Sequence, residues 1–310
     1  MSVMAALRYT PRLPPAKVCG FRNISRSTRE GLMTVRTFQK RVYTVLRAWL
    51  KTRKSDNSYS GEFAHLNSIL ERVNIQGGYI VDVAASDGVT QSCTLGFFSD
   101  HNWQGLAIEM DPDKFAALAF VYAQFANVKL ARCRVTPGNV TDLLQGNEVP
   151  NEFTLLNLDI DSYDLDVVDE LLKGGFRPRV ISMEVNEKIP PPLYFTVNFD
   201  AAHYWKGDDF YGCSLTAAAS VVKSYGYKLE SLQFNNAMFV HESVAKGKIQ
   251  DISVEEAYDT GYRNRPERKT LFPWNASVEC ALAATPDENL VFFRKLFKDY
   301  QGRFTLERSR

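Results

Sequence analysis

The chain has 310 residues, of which 45% are hydrophobic and 24% are charged. These proportions are typical of a globular protein and exclude a low-complexity or collagen-like chain. No run approaches the roughly 18 apolar residues that cross a bilayer, so no transmembrane segment is predicted. The five cysteines are scattered without a Cys-x-x-Cys pair, which argues against a zinc site and a disulfide framework. A reducing, cytoplasmic location is therefore the default expectation.

Positive charge is concentrated at the N-terminus. Residues 1–54 hold 13 of the 37 Lys and Arg residues but a single acid, Glu30, so this segment carries a net charge of +12 and the rest −11. Residues 1–29 contain six basic residues and no acid, a composition shared by organelle transit peptides and disordered basic leaders. A mitochondrial or other organellar location is thus an alternative. Electrostatics also allows residues 1–54 to contact RNA or a protein partner.

Apolar spacing predicts an amphipathic helix over 29–54, a polar break at 55–61 and a short helix over 63–73. Strand and helix patterns then alternate as far as residue 185, followed by a helix near 215–225 and two more strands. This alternation predicts an α/β fold with a doubly wound, mostly parallel seven-stranded sheet and helices on both faces. The predicted strands span residues 79–84, 105–109, 128–131, 153–160, 179–185, 227–233 and 237–241. The predicted intervening helices lie near 90–99, 112–124, 140–144 and 165–172.

The end of the chain has its own features. Asn235-Asn236 is a short connection between the last two strands, which predicts a hairpin and an antiparallel last strand at one edge of the sheet. Residues 246–310 are polar and then helical from about 287 to 298. We divide the chain into a basic arm with its helix over 1–60, a central α/β domain over 61–245, and a C-terminal helical extension over 246–310.

The segment Asp82-Val83-Ala84-Ala85-Ser86-Asp87-Gly88 closes the first strand and is expected to open a helix. A doubly wound sheet binds nucleotide-like cofactors at this place. The second strand ends in Glu109, which is positioned to bind both hydroxyls of a ribose. A dinucleotide fingerprint would need glycines where Ala84 and Ser86 stand, so the loop is a poor cradle for pyrophosphate. Acids beside it suit a nucleoside with an ammonium group better than a polyanion, although turn capping by Asp82 and Asp87 is the alternative.

Further motifs follow in a fixed order. They are Gly-Leu-Ala-Ile-Glu (105–109), Leu-Leu-Asn-Leu-Asp-Ile-Asp-Ser-Tyr-Asp (155–164) and Ser-Met-Glu-Val-Asn-Glu-Lys-Ile-Pro-Pro (182–191). Together with the loop over 82–88, they resemble the class I, seven-stranded, Rossmann-like S-adenosylmethionine-dependent methyltransferases, and more closely the FkbM-type branch. The resemblance covers about residues 61–275, and Ala84 departs from the glycine that is usual in this family.

The resemblance implies a transferase with S-adenosylmethionine as cofactor. It places the methionine part of the cofactor against the loop after the first strand, which contributes Asp82, Ala84, Ala85, Ser86, Asp87 and Gly88. It also implies that Glu109 binds the ribose, that Met110 forms a wall of the adenine slot, and that Asp159 lies beside the sulfonium.

Carboxylates also gather where the methyl group would point. Asp159, Asp161 and Asp164 follow the fourth strand. An acceptor hydroxyl becomes a good nucleophile only when a base or a divalent cation assists its deprotonation. Sugar methyltransferases of related fold hold magnesium at such acids, and this resemblance implies a possible Mg²⁺ site at Asp161, Glu184 and Asn186, an all-oxygen set. The alternative is a solvated rim whose acids hold loops.

Seven aromatic residues lie within residues 194–211, which predicts a small-molecule pocket or its lid. His203 among them is a candidate general base, besides the catalytic candidate Asp161. The Asp/Asn-Pro-Pro-aromatic motif usual in amino-directed nucleic-acid methyltransferases is absent after the fourth strand. We therefore expect O-methylation of a small-molecule or sugar hydroxyl. The alternatives are a non-catalytic adaptor whose arm binds RNA or a larger assembly, and a nicotinamide dehydrogenase.

Overall fold

The computed structural model describes residues 56–309, so the helix predicted over 29–54 and the basic arm lie outside the described residues. Seven strands form the main sheet, and two more form a separate antiparallel pair. The strands of the main sheet are β1 (Gly78–Val83), β2 (Trp103–Ile108), β3 (Val128–Ala131), β4 (Leu155–Leu158), β5 (Val180–Glu184), β7 (Tyr227–Gln233) and β8 (Asn236–His241). The pair consists of β6 (Leu193–Val197) and β9 (Phe304–Arg308).

Helices alternate with the strands. Those up to the hairpin are α1 (Glu62–Arg72), α2 (Leu95–Phe98), α3 (Pro112–Tyr122), α4 (Val140–Gly146), α5 (Asp164–Lys173) and α6 (Leu215–Lys223). Those of the C-terminal part are α7 (Glu242–Ala245), α8 (Val254–Tyr258), continued by the π-helical segment Asp259–Arg263, α9 (Arg268–Leu271) and α10 (Pro286–Leu296), with 3₁₀ segments at Pro273–Leu282 and Lys298–Tyr300. Among residues 56–309, no helix is both long and apolar enough to span a membrane.

The main sheet has the strand order β3-β2-β1-β4-β5-β8-β7. Its first five strands are parallel, and β8 runs antiparallel to both of its neighbours. Successive residues of β1 enter different apolar clusters: Val81 packs on one face of the sheet and Ile80 on the other. Burial on both faces requires cover on both, as the predicted doubly wound fold demands. That prediction is confirmed.

The hairpin between β7 and β8 is present, but its strands are arranged differently from the prediction. The antiparallel strand β8 lies between β5 and β7, and the edge strand is β7. The reason is burial: five of the six residues of β8 are buried, whereas buried and partly exposed residues alternate along β7. A strand that is apolar on both faces is stabilised in the interior of a sheet.

Two other local predictions differ from the structure. The helix expected near 90–99 shrinks to the single turn α2, because residues 84–94 form a series of turns with left-handed residues such as Ser86 and Gln91. The aromatic segment over 194–211 begins with β6, which pairs with β9 more than 100 residues later. Only residues 198–210 form a loop, which we call the roof loop because it lies beside the crevice described below.

The C-terminal extension packs on this roof loop. An apolar cluster joins β6, β9 and α10, with Phe195, Phe293 and Phe297 at most 2% exposed. The predicted last helix is confirmed as α10, and Thr285 and Glu288 form a capping box at its start. The extension thus supplies part of the framework that holds the candidate site.

Candidate functional site

A crevice of about 260 Å³ opens where β1, β2 and β4 end. Open α/β sheets bind ligands outside the carboxyl ends of their strands. The sequence-predicted residues that line it are Asp82, Ala84, Ala85, Ser86, Glu109, Met110, Asp159, Asp161 and His203. Four of these are acids, and the basic side chains in the lining are Lys114 and Arg134. An acidic surplus favours a ligand with positive charge.

The loop after β1 is held in a strained conformation. Ala84 has φ +65° and Ser86 has φ +53°, both in the left-handed region that favours glycine. These two positions are those at which a dinucleotide fingerprint has glycines. The backbone N–H of Ser86 donates to Glu109 Oε2 at 2.9 Å, which ties the loop to the end of β2. At Ala84 and Ser86 the turn therefore has a backbone conformation that glycine would adopt without strain.

We expect Ala84→Gly to raise the free energy of unfolding by about 0.5–1 kcal/mol, because glycine removes the left-handed strain at a small entropic cost. The matched change Ala85→Gly, at a buried residue outside the left-handed region, should lower it by about 1 kcal/mol. Chemical denaturation measures both. A loss of stability in Ala84→Gly would contradict the strain described here.

Asp82 forms part of the crevice floor and is 3% exposed. Its carboxylate accepts a hydrogen bond from the Thr94 hydroxyl at 2.6 Å and another from Asn157 Nδ2 at 2.8 Å. Burial raises the pKa of Asp82, while these hydrogen bonds lower it. Asp82 thus connects the end of β1 with β4 and with the turn before α2.

Asp87 and Gly88, both predicted to contact a cofactor, do not line the crevice. Asp87 caps a turn, since it accepts from the backbone N–H groups of Val89 and Thr90 at 2.9 and 2.7 Å. Gly88 has φ +75°, and a Cβ there would lie 2.6 Å from Tyr122 of α3. In the structure both residues build the turn, and their contact with a cofactor stays a prediction.

Glu109 is 4% exposed and accepts two backbone hydrogen bonds. Oε2 accepts from Ser86, and Oε1 accepts from the N–H of Asp111 at 2.7 Å. Each carboxylate oxygen has a second lone pair, which leaves capacity for the two hydroxyls of a ribose. Met110 follows it and is 48% exposed, so it lies at the mouth of the crevice.

Three carboxylates meet where β4 and β5 end, and two of them, Asp159 and Asp161, line the crevice. Ligand atoms of Asp159, Asp161 and Glu184 lie within 4.8 Å of one another. Burial raises the pKa of Asp159, and the charges of Asp161 and Asp164 raise it further. Burial, followed by the charges of Asp159 and Asp161, raises the pKa of Glu184 well above its ordinary value. We call these three residues the acid cluster; close like charges favour a shared proton or a bound cation.

The turn after β4 holds Asp161 in place. Asp161 has φ +55°, and the backbone N–H groups on both sides of it, from Ile160 and Ser162, donate to the Asp164 carboxylate at 2.8 and 2.9 Å. Burial raises the pKa of Asp164 to about 6, although these hydrogen bonds oppose the shift. Asp164 therefore supports the acid cluster without belonging to it.

Asn186, predicted as a metal ligand, is held by backbone groups, and its Oδ1 accepts from the N–H of Lys188 at 3.3 Å. Its amide Nδ2 donates to the carbonyl oxygens of Asp209 and Tyr211, each at 3.0 Å, and the residue is fully buried. Asp159, predicted to lie beside the sulfonium, lies with Asp161 and Glu184 in the acid cluster. The acid cluster fits a hard cation, because Glu184 Oε2 is buried, has no hydrogen-bond partner among the described residues and can therefore serve as an oxygen ligand. The other oxygen, Oε1, accepts from Asn235 at 2.9 Å.

Sequence reasoning missed several residues that support the site. Lys188 is 2% exposed, with Nζ 3.3 Å from Asp209 and 4.5 Å from the centre of the Tyr211 ring. The buried carboxylate of Glu187 accepts from the Tyr211 hydroxyl at 2.6 Å and from Asn275 of the C-terminal extension. Both lie in the Asn-Glu-Lys run after β5, where two adjacent charged residues in an apolar context were the available signal.

Comparison with known proteins finds no matching family model and no matching curated relative. Among solved structures, the N-terminal domain of EvdMO1 with SAH bound is 9% identical, with 58% of this chain and 80% of that chain covered and a TM-score of 0.39. The same domain in the presence of SAH and D-fucose is 10% identical, with 68% and 97% covered and a TM-score of 0.41. A SAM-dependent methyltransferase from Aquifex aeolicus is 10% identical, with 62% and 95% covered and a TM-score of 0.35.

Proposed function

We propose that this chain is an S-adenosylmethionine-dependent methyltransferase that methylates an oxygen atom of a small-molecule or sugar hydroxyl. One observation carries the proposal: a single crevice is lined by the strained, glycine-poor turn, by Glu109, and by Asp159 and Asp161 of the acid cluster. The turn and Glu109 suit a ribose and an amino-acid tail, and the acid cluster suits deprotonation of a hydroxyl.

The turn after β1 supports this cofactor over a dinucleotide. Pyrophosphate is bound by backbone N–H groups at the start of a helix. Here the first helix after the turn, α2, begins only at Leu95, and the N–H of Ser86 is used by Glu109. Acids at the crevice floor would repel phosphates and attract the ammonium and sulfonium groups of S-adenosylmethionine.

The acid cluster supports oxygen as the acceptor atom. When bound, S-adenosylmethionine supplies an electrophilic methyl group on a positively charged sulfur. The raised pKa values of Asp159 and Glu184 allow a carboxylate in the cluster to accept the hydroxyl proton as the oxygen attacks in line. Most of the rate enhancement would come from alignment and exclusion of water. If Mg²⁺ binds, Asp159, Asp161 and Glu184 would hold it, and the ion would lower the pKa of the acceptor hydroxyl.

Calorimetric titration with S-adenosylmethionine and, separately, with NAD tests the proposal. We expect binding of S-adenosylmethionine with Kd in about the micromolar range and no heat with NAD. Folded protein that binds neither ligand would support a non-catalytic adaptor, and binding of NAD alone would support a dehydrogenase.

A further inference from the structure

His203 lies deep in the crevice wall although it belongs to the roof loop. The residue is 6% exposed, and its Nδ1 shares a short hydrogen bond with the Ser162 hydroxyl. Phe210 packs edge-on against the imidazole with ring centroids 5.6 Å apart. Among residues 56–309, no side chain or backbone group hydrogen-bonds to Nε2. Nε2 is therefore the ring atom left to meet a ligand in the crevice.

The contacts of its neighbours place His203 on the side of the crevice that follows β3. The Arg134 guanidinium donates to the carbonyl of Ala201 at 2.6 Å, two residues before His203. The Tyr163 hydroxyl, next to Ser162, donates to the carbonyl of Val135 at 3.2 Å. Arg134 and Val135 both come directly after β3 and line the crevice.

Strand order decides which part of the cofactor reaches this side. Strand β2, which ends beside Glu109, lies between β3 and β1, whereas β4 and β5 lie beyond β1. If the ribose binds Glu109 and the methyl group points to the acid cluster after β4 and β5, the base must extend the other way. That direction leads towards β3, and hence towards His203.

We propose that His203 recognises the hydrogen-bonding edge of the adenine base through Nε2, with Ser162 as its positioning residue. The inference rests on the proposed function and deepens it, since it assigns the roof loop to cofactor binding. The proposed tautomer carries its proton on Nδ1, which donates to the Ser162 hydroxyl, so Nε2 accepts from the 6-amino group of adenine, whereas the 6-oxo group of inosine offers no hydrogen there.

The surroundings of His203 agree with a neutral, hydrogen-bonding imidazole. Burial lowers the pKa of His203 below its ordinary value, and the charged groups with the largest influence on it are Arg303, Asp200, Asp208 and Lys206. None of these belongs to the acid cluster. Arg303 also pairs with Asp200 at 2.9 Å, and Tyr300 hydrogen-bonds to Asp208, so the C-terminal extension fixes the roof loop from outside.

The test compares S-adenosylhomocysteine with S-inosylhomocysteine, in which an oxo group replaces the 6-amino group of the base. We expect the protein to bind the adenine compound about tenfold more tightly. His203→Phe keeps the packing on Phe210 and should weaken binding of the adenine compound about 5–10-fold, while binding of the inosine compound stays nearly unchanged. The ratio of the two dissociation constants should therefore come close to one. His203→Gln should retain most of the ratio. Ser162→Ala should reduce it about threefold, and His101→Phe, at an exposed histidine, should not change it.

Circular dichroism and the thermal midpoint check that each variant folds. If His203→Phe does not fold, the binding ratio of Ser162→Ala tests the assignment of His203 instead. An unchanged ratio, or equal weakening of both compounds, would overturn the assignment of His203 while leaving the proposed function intact. Failure of the unaltered protein to bind S-adenosylhomocysteine would instead overturn the proposed function.

Discussion

Glu109→Ala is expected to weaken S-adenosylmethionine binding at least about 100-fold. The carboxylate is the proposed partner of both ribose hydroxyls, and each such hydrogen bond to a charged group contributes about 1.5–3 kcal/mol, where 1.4 kcal/mol corresponds to tenfold in Kd. The same carboxylate accepts from Ser86 and Asp111, so its removal also loosens the turn that faces the amino-acid tail. Isothermal titration calorimetry measures the loss directly.

Two matched variants separate ligand contact from loop support. Glu71→Ala, at an exposed acid of α1 whose side chain accepts a hydrogen bond from Asn67 of the same helix, should leave Kd unchanged. Glu109→Gln keeps a carbonyl for one of the two backbone donors, so its fold should persist while its affinity drops. If Glu109→Ala bound S-adenosylmethionine within about threefold of the unaltered protein, the assignment of the ribose site to the end of β2 would be wrong.

Glu184→Gln is expected to raise the free energy of unfolding of the ligand-free protein by about 1–3 kcal/mol at pH 8, since it removes a buried charge whose Oε2 has no partner. Burial and neighbouring acids raise the pKa of Glu184 and Asp159, so the folded state binds more protons than the unfolded state. As far as these groups decide it, stability of the unaltered protein should therefore be greatest at and below about pH 4, the ordinary pKa of a carboxyl group, and should decrease as pH rises from there to their raised pKa values. In Glu184→Gln this decrease should be smaller.

Denaturant unfolding at pH 6 and pH 8 measures the effect, with and without Mg²⁺. A cation held by the acid cluster should stabilise the unaltered protein at pH 8 and stabilise Glu184→Gln far less, because one of three ligands has lost its charge. Glu170→Gln, at a partly exposed acid paired with Lys173, is the control and should behave like the unaltered protein. Equal stability of Glu184→Gln and the unaltered protein at both pH values would show that the cluster carries no electrostatic strain.

Local patterns were sufficient to predict most of the framework. Strand β3 and strand β7 have the predicted bounds, because their apolar runs are flanked by turn residues and each lies between well-defined elements. Glu109 could also be located from sequence alone, since the end of the second parallel strand is set by periodicity. The order of acids along the chain likewise predicted that Asp159 and Asp161 would lie at the crevice.

Contacts between distant segments decided those parts of the site and of the fold that local patterns did not predict. Asp159 lies with Asp161 and Glu184 in the acid cluster, and Asn186 is held by the carbonyls of Asp209 and Tyr211, contacts that no spacing rule reveals. Strand β6 was not predicted because its partner β9 is a separate short segment far along the chain. A two-stranded pair of this kind is stable only through the apolar cluster beneath it, which forms when the whole chain is folded.

The sequence by itself determined the alternation of strands and helices, the turn after β1 and the supply of acids, since these depend on neighbours within a few residues. Only the tertiary structure decided that β8 enters the interior of the sheet, that Asp87 and Gly88 build the turn from outside the crevice, and that His203 meets the crevice from the side of β3. The physical reason is that burial and hydrogen-bond partners at these positions come from residues tens to more than one hundred positions away, which local periodicity does not encode.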